Sequence, residues 1–497
     1  WKFDGGKRPM GGGRLSVVEK ICPSPALEGY RNKCEFTAGT DVLTGQPMFG
    51  FTVGSIRERV KDGDEKLGEI GSGCANVADP SLCTHVPRVA IEVAERMTAF
   101  MRSTSLKHKC YDRIIGEGVF RQVMVRNSQS TKEALVVVQI KSEGLQKSEL
   151  DAIRNGLLQV CEQLNEGWAA AATKKGNDDG GSNDKEIEQS SGTASSNGGD
   201  EESSRSCYRI VSALIQYNET RFEVNCDSKT EVIFGPGNFH ESLLGVRFCV
   251  SPEAFFQINA KAAECLFETV RDWVSNPVPY PDEKKEEEGA DGEVVETEQP
   301  VPTLKSDAKD SSTGSSTMAS SPPVILDVCC GTGAIGLLLA KSAKMIYGLE
   351  IVAEAIEDAK RNAEINKIDN VKYYVGKAEE TIKEVMESVS KQTEGDIIAV
   401  VDPPRGGLHP KVIEALRNCE RVKYLVYVSC NAKSMMEDVK KMVQPCTKKL
   451  IGVPFKVIRT RPFDLFPQTL HFEMLMLLSR DHERGKARPN ATRADRR

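Results

Sequence analysis

Four short segments of this 497-residue chain carry side chains able to do chemistry, and all lie in its second half. The first, Asp327-Val-Cys-Cys-Gly331-Thr-Gly333-Ala-Ile-Gly336, is a glycine-rich turn between an apolar run and a helical one. In the second, Asp402-Pro-Pro-Arg405, two rigid prolines separate a carboxylate from a guanidinium. The third, Ser429-Cys430-Asn431, closes another apolar run. The fourth, Phe466-Pro-Gln-Thr-Leu-His471-Phe-Glu473, sets a carboxylate among apolar residues at a strand start. A carboxylate placed there needs a partner or a purpose, because unpaired burial is costly.

One chemistry that a cysteine and acids of this kind could serve is methylation of carbon 5 of a pyrimidine, an atom too weakly nucleophilic to react in the intact ring. A thiolate adding to carbon 6 makes an enolate-like ring whose carbon 5 can attack a methylsulfonium. A base must then take the carbon-5 proton so that the thiolate can leave. Cys430 meets the first need, although a cysteine taken alone is more often a buried thiol. Glu473 is the candidate base, and His471 is read as structural.

The elements that must position these groups follow from periodicity. Val324–Val328, Lys344–Glu350, Val371–Val375, Ile397–Asp402 and Tyr424–Cys430 read as strands. Helical stretches Ile335–Lys344 and Ala353–Asn366, and one running through Lys383, fall between them. Strands alternating with helices at this spacing predict a parallel, doubly wound sheet with ligands at the carboxyl ends of its strands. Asp327, Glu350, Asp402 and Cys430 belong at those ends. The glycine turn lacks the Lys-Ser/Thr of a phosphate loop and is too short for the full dinucleotide fingerprint. Glu350 is placed to accept hydrogen bonds from ribose hydroxyls. Together these features favour an adenosine ligand without a pyrophosphate, as in S-adenosylmethionine.

The first half reads as α+β, with strands at Ala134–Ile140, Val211–Tyr217 and Glu231–Phe234 and an amphipathic helix over Ser148–Leu164. Low-complexity stretches at about 173–206 and 277–323 read as disordered insertions. The net charge of −6 is concentrated there: Gly176–Ser206 carries −6 and Pro281–Ser311 carries −7, which leaves the remainder at +7. A mildly basic remainder is compatible with phosphate binding. The fifteen cysteines are scattered without a C-x-x-C pair, so the composition predicts neither a disulfide framework nor a zinc or iron–sulfur site. No apolar run approaches bilayer length. The chain begins at Trp1 rather than Met, so a preceding piece is expected, and any targeting signal or further domain would lie in it.

In order and spacing, six segments resemble the RNA uracil-5 methyltransferases, in particular their eukaryotic tRNA branch. They are Tyr30-Arg-Asn-Lys-Cys-Glu-Phe, Ser251-Pro-Glu-Ala-Phe-Phe-Gln257-Ile-Asn259, Leu326-Asp-Val-Cys-Cys-Gly-Thr-Gly, Asp402-Pro-Pro-Arg, Val428-Ser-Cys-Asn and Asp464-Leu-Phe-Pro-Gln-Thr-Leu-His-Phe-Glu473. The resemblance runs from about Ser24 to Ser479. It implies a Rossmann-like, S-adenosylmethionine-dependent methyltransferase domain over 251–480 and an α+β RNA-binding domain over 24–250. A disordered extension over 1–23 and a basic disordered tail over 481–497 would flank them. It implies Cys430 as nucleophile and Glu473 as proton acceptor. Gln257, Cys329, Gly331, Gly333, Glu350 and Asp402 would hold S-adenosylmethionine, and Arg405 and Asn259 would contact substrate. The substrate implied is tRNA, at the T-loop uridine 54, whose base must be flipped out to react. No metal or iron–sulfur cluster is expected; a monomer without membrane contact, cytosolic or nuclear, is, and a mitochondrial address remains open because of the missing piece. Two rival readings are a tRNA-binding folding factor with secondary catalysis and methylation of a different RNA uridine. An amino-group methyltransferase is disfavoured: Arg405 stands where its Asp-Pro-Pro motif needs an aromatic residue.

Overall fold

The computed structural model describes residues 17–54, 74–178, 208–220, 229–277, 322–392 and 396–480. Residues 1–16, most of both low-complexity stretches and the basic tail lie outside the described residues.

The second half forms the expected sheet. Five short strands form its parallel part, the runs 324–328 and 397–401 being buried along their whole length because both faces are covered. The five are β11 (Val324–Val328), β12 (Met345–Glu350), β13 (Val371–Val375), β14 (Ile397–Val401) and β15 (Val422–Ser429). Helices α4 (Ala334–Leu339), α5 (Ala353–Ile365), α6 (Ala378–Gln392) and α7 (Pro410–Asn418) connect them, and α8 (Ala432–Val443) follows. β11 pairs in parallel with both β12 and β14, β12 with β13, and β14 with β15. The chain thus crosses from β13 back over β11 to begin β14, which makes a topological switch point between β11 and β14.

Two further strands, β16 (Lys456–Phe463) and β17 (Glu473–Ser479), complete the sheet as a hairpin, with β17 antiparallel to β15. That reversal matters for the site: the start of β17 lies at the same edge as the end of β15. Val17–Val18, within the stretch read as an N-terminal extension, forms β1 and pairs in parallel with Arg459 and Thr460 at the outer edge.

The first half builds a second sheet. Its strands are β2 (Lys33–Asp41), β3 (Pro47–Thr52), β4 (Ala75–Ala78), β5 (Phe120–Asn127), β6 (Glu133–Ile140), β7 (Arg209–Tyr217) and β8 (Thr230–Phe234), in the order β3-β4-β2-β5-β6-β7-β8. One face packs against α1 (Arg88–Ser103) and α2 (Lys147–Asp178) through Phe36, Val123, Val136, Met97 and Leu157. α2 runs past the expected end at Leu164, and tertiary contacts explain the extension. The Asn165 side chain exchanges two hydrogen bonds with the backbone of Ile210, and Trp168 is buried with its indole N–H donating to Glu92 (2.6 Å).

Leu135, Val137 and Leu214 on the other face join a core shared with the parallel-stranded sheet of the second half. Phe239 and Phe248 of the hairpin β9 (Phe239–Leu243) and β10 (Val246–Val250) enter the same core, as do Leu266 and Trp273 of α3 (Ala260–Ser275). Shared apolar burial of this kind holds the two sheets together. No helix among the described residues is long and apolar enough to cross a membrane.

Candidate active site

The carboxyl edge of the parallel strands β11 to β15 collects the reactive groups. β11 ends in Asp327-Val328, and the chain then turns through Cys329 (φ +64°), Gly331 (φ +54°) and Gly333 (φ +78°) into α4. Three left-handed residues so close together explain the glycines, since a side chain there is strained. Gly333 is also hemmed in: a Cβ would lie 2.7 Å from the Tyr373 hydroxyl. Glu350, at the end of β12, fastens the turn. One carboxylate oxygen accepts from the N–H of Gly331 (3.0 Å), and the other from those of Ile351 (2.8 Å) and Val352 (3.0 Å). From α5, the Asn362 amide donates to the Thr332 carbonyl (3.2 Å) and accepts from the Cys249 N–H (2.7 Å).

Beside this turn stand acids without a counter-ion. Asp327 is buried; one carboxyl oxygen accepts from the Gly336 N–H (3.0 Å) and the other has no partner. Burial pushes its carboxyl up to about 7; the Gly336 N–H opposes this and Glu350 adds to it. Asp402 follows β14 directly, its N–H bound to the Val328 carbonyl (3.2 Å). Burial, and then the charge of Asp327, raise it to about 7. Glu473 opens β17 fully buried, and burial, followed by Asp402, lifts it to about 9.

Cys430 lies among these acids. The ladder between β15 and β17 pairs Ser429 with Met474, so the next step sets Cys430 opposite Glu473 on one face. Burial raises the Cys430 thiol, and Glu473 and Asp402 raise it further. Arg405, hydrogen-bonded to the thiol, pulls it back down. The loops carrying the two residues are latched together by Asn431. Its amide donates to the Arg405 carbonyl (2.8 Å), and its oxygen caps α8 by accepting from the Lys433 N–H (3.1 Å).

Gln257 is buried, with its segment pinned to β2: Asn32 donates to the Gln257 carbonyl (2.9 Å), and the Asn32 N–H to that of Ile258 (2.9 Å). Asn259, expected from the resemblance to contact substrate, has a structural task instead. It is 1% exposed and caps α3 by accepting from the Ala262 N–H (3.2 Å). Its amide donates to Ser24 Oγ (3.0 Å) and the Leu465 carbonyl (3.2 Å). Its donors are spent within the protein, so none remains for RNA. His471 is exposed. Asn362 and Tyr373 carry no local pattern that marks them as site residues, because the residues they meet, Thr332, Cys249 and Gly333, lie far away in the chain.

An S-adenosylmethionine molecule suits this edge. It brings a sulfonium and an ammonium, the positive charges the acids lack, and the orphaned Asp327 oxygen awaits a donor. Among the described residues no group of His, Cys, Asp and Glu is arranged to hold a metal ion.

Residues 316–481, which span this edge from β11 to β17, match the tRNA (Uracil-5-)-methyltransferase family. The chain is 30% identical to the human tRNA (uracil-5-)-methyltransferase homolog A over 469 residues, which are 94% of this chain and 59% of that protein. It is 31% identical to the mouse homolog A, over 96% of this chain and 61% of that protein. The chain is similar to the tRNA (uracil-5-)-methyltransferases. It spans about three fifths of the length of these homolog A relatives. The human homolog B of the same enzyme name is 27% identical over 94% of the chain and 73% of its own length. The fold has a solved counterpart in the Pyrococcus abyssi tRNA (uracil-54, C5)-methyltransferase, determined with S-adenosyl-L-homocysteine. That likeness has a TM-score of 0.55 at 20% identity and covers 92% of this chain and 78% of that one. It shows that the overall fold is shared.

Proposed function

We propose that this chain methylates carbon 5 of a uridine in tRNA, at the T-loop position 54, using S-adenosylmethionine and a covalent Cys430 intermediate. The observation that carries the reading is that Cys430 and Glu473 each stand one step beyond the Ser429–Met474 pair, at the sheet edge that also holds the glycine turn. The uracil-54 specificity named for the Pyrococcus abyssi enzyme supports the position, and the similarity to the homolog A enzymes supports tRNA.

In this reading the backbone at Cys329, Gly331 and Gly333, with Glu350, Asp402 and Gln257, binds the methyl donor. Asp327 fixes the turn behind it. When bound, S-adenosylmethionine supplies an electrophilic methyl group to carbon 5. Cys430 adds to carbon 6 as a thiolate, a form that the Arg405 guanidinium favours. Glu473 takes the carbon-5 proton, and the electrons left behind restore the ring and expel Cys430. Glu473 must be ionised to do this; burial and then Asp402 hold its carboxyl at about 9 in the ligand-free fold, and positive charge brought in by the donor would favour the ionised form. Asn259 serves as the clamp described above.

Incubation with labelled S-adenosylmethionine and an unmodified tRNA transcript, followed by mass spectrometry of nuclease fragments, tests the proposal. 5-Methyluridine at position 54 is expected. Label at another uridine would correct the position, and no label in any RNA would overturn the activity.

A further inference from the structure

The strands β16 and β17 pair Phe463 with Glu473, and this closes the base of the loop formed by residues 464–472. The loop is fastened along its length. Tyr30 donates its hydroxyl to the Pro467 carbonyl (2.9 Å), and the Gln468 amide donates to the Leu27 carbonyl (3.2 Å) and also bonds Thr84. Asn259 holds the Leu465 carbonyl (3.2 Å), and Thr469 bonds back to Phe466 through its N–H (3.1 Å) and its hydroxyl (2.7 Å). Gln468 adopts φ +65°, a strained value for a side-chain-bearing residue.

What this loop presents is unusual. Leu470 is 98% exposed, followed by exposed His471 and by Phe472 at 39%, immediately before the buried Glu473. A lone exposed leucine on a mobile surface needs no explanation. This one stands on a braced loop, three residues from the acid that faces Cys430.

The chemistry at the neighbouring site supplies an occupant. Carbons 5 and 6 of a uridine in a folded RNA are covered by neighbouring bases, so the base must leave its stack to reach Cys430. Proteins that unstack nucleic acid insert an apolar wedge such as leucine or phenylalanine between the bases. Resting on the activity proposed above, we infer that Leu470 is the wedge that enters the RNA stack at the place vacated by the target uridine. Leu470 is thus a positioning residue. It needs to be apolar, to stand clear of the protein, and to be held stiffly enough to push, and the loop provides all three.

The test compares wild type with Leu470→Ala and Leu470→Met on two RNAs: a folded tRNA T-arm and a short unstructured strand carrying the same uridine. A 2-aminopurine beside the uridine in the folded arm reports unstacking independently of methyl transfer. Leu470→Ala is expected to lose at least tenfold in kcat/KM and most of the 2-aminopurine signal on the folded arm. It should match wild type on the open strand and in S-adenosylmethionine affinity, and Leu470→Met should restore the folded-arm rate. Wild-type rates for Leu470→Ala on the folded arm, or equal losses on both RNAs, would overturn the wedge while leaving the activity standing. A wild-type protein that methylates neither RNA would overturn the activity and the wedge with it.

Discussion

Cys430 directly follows β15 and Glu473 opens the antiparallel β17, each one step beyond the Ser429–Met474 pair that ends the ladder between the two strands. The ladder fixes Ser429 and Met474 directly before the two groups, and Glu473 is also paired with Phe463 on its other side, so the strand ends set the distance between nucleophile and acid. β17 runs against the parallel strands, and that reversal puts a strand start beside a strand end.

Removing only the proton acceptor should therefore trap the intermediate. Glu473→Gln keeps the shape but cannot take the carbon-5 proton, so turnover is expected to fall by roughly 10²–10⁴-fold. A methylated, Cys430-linked RNA adduct should accumulate on denaturing gels. Near-normal turnover in this variant would mean that another group accepts the proton.

The same carboxyl group makes the ligand-free fold sensitive to pH. Glu473 is raised from 4.5 to about 9, and Asp327 and Asp402 from 3.8 to about 7. For groups raised in the fold, the stabilisation is complete below the unfolded values and is lost as pH rises through the folded ones. Denaturant midpoints should thus fall between about pH 4 and pH 9. Glu473→Gln should remove the upper part of that slope and stabilise the protein at pH 8 by about 1–2 kcal/mol. Parallel curves for wild type and variant would count against a buried, uncompensated Glu473.

Gly333 offers a test of the donor site that leaves the reacting groups alone. Gly333→Ala meets both the left-handed backbone and the Tyr373 hydroxyl at 2.7 Å. The turn should shift, and S-adenosylmethionine binding measured by calorimetry should weaken at least tenfold, about 1.4 kcal/mol. Adding Tyr373→Phe removes the clash but not the strained φ, so affinity should return in part. Unchanged binding in Gly333→Ala would place the methyl donor elsewhere.

Thiol reactivity should separate two cysteines. Cys22, half-buried, is lowered to about 6 by a hydrogen bond with Cys265, with help from Arg461 and against the effect of burial. Cys430 is raised. At pH 7 without ligand, iodoacetamide should label Cys22 faster than Cys430, as read by peptide mass spectrometry. Faster labelling of Cys430 would mean its thiolate is already formed in the resting protein.

How much of this could be read from the sequence depends on the range of the contacts involved. Strands β11 to β15 were predictable because short apolar runs and helical stretches alternate locally, and the glycine turn because φ > 0 demands particular residues. The pairing of β1 with β16 joins residues 17–18 to 459–460, and no local pattern carries it. Asn259 shows the same limit. Its motif position pointed to RNA, yet its amide is taken up by Ser24 and Leu465, residues far from it in sequence. The role of Asn431 as a latch likewise exists only once the Arg405 loop lies beside it.

The central claim is that Cys430 bonds to the uridine ring, and 5-fluorouridine tests it most directly. Fluorine at carbon 5 cannot be removed as a proton, so the reaction must stop with the thioether bond in place. Incubating the protein with S-adenosylmethionine and 5-fluorouridine-substituted tRNA should give a denaturation-resistant complex whose methylated nucleotide maps to Cys430. The complex should be absent in Cys430→Ala. Binding of that tRNA without any adduct, or an adduct that survives in Cys430→Ala, would contradict the account.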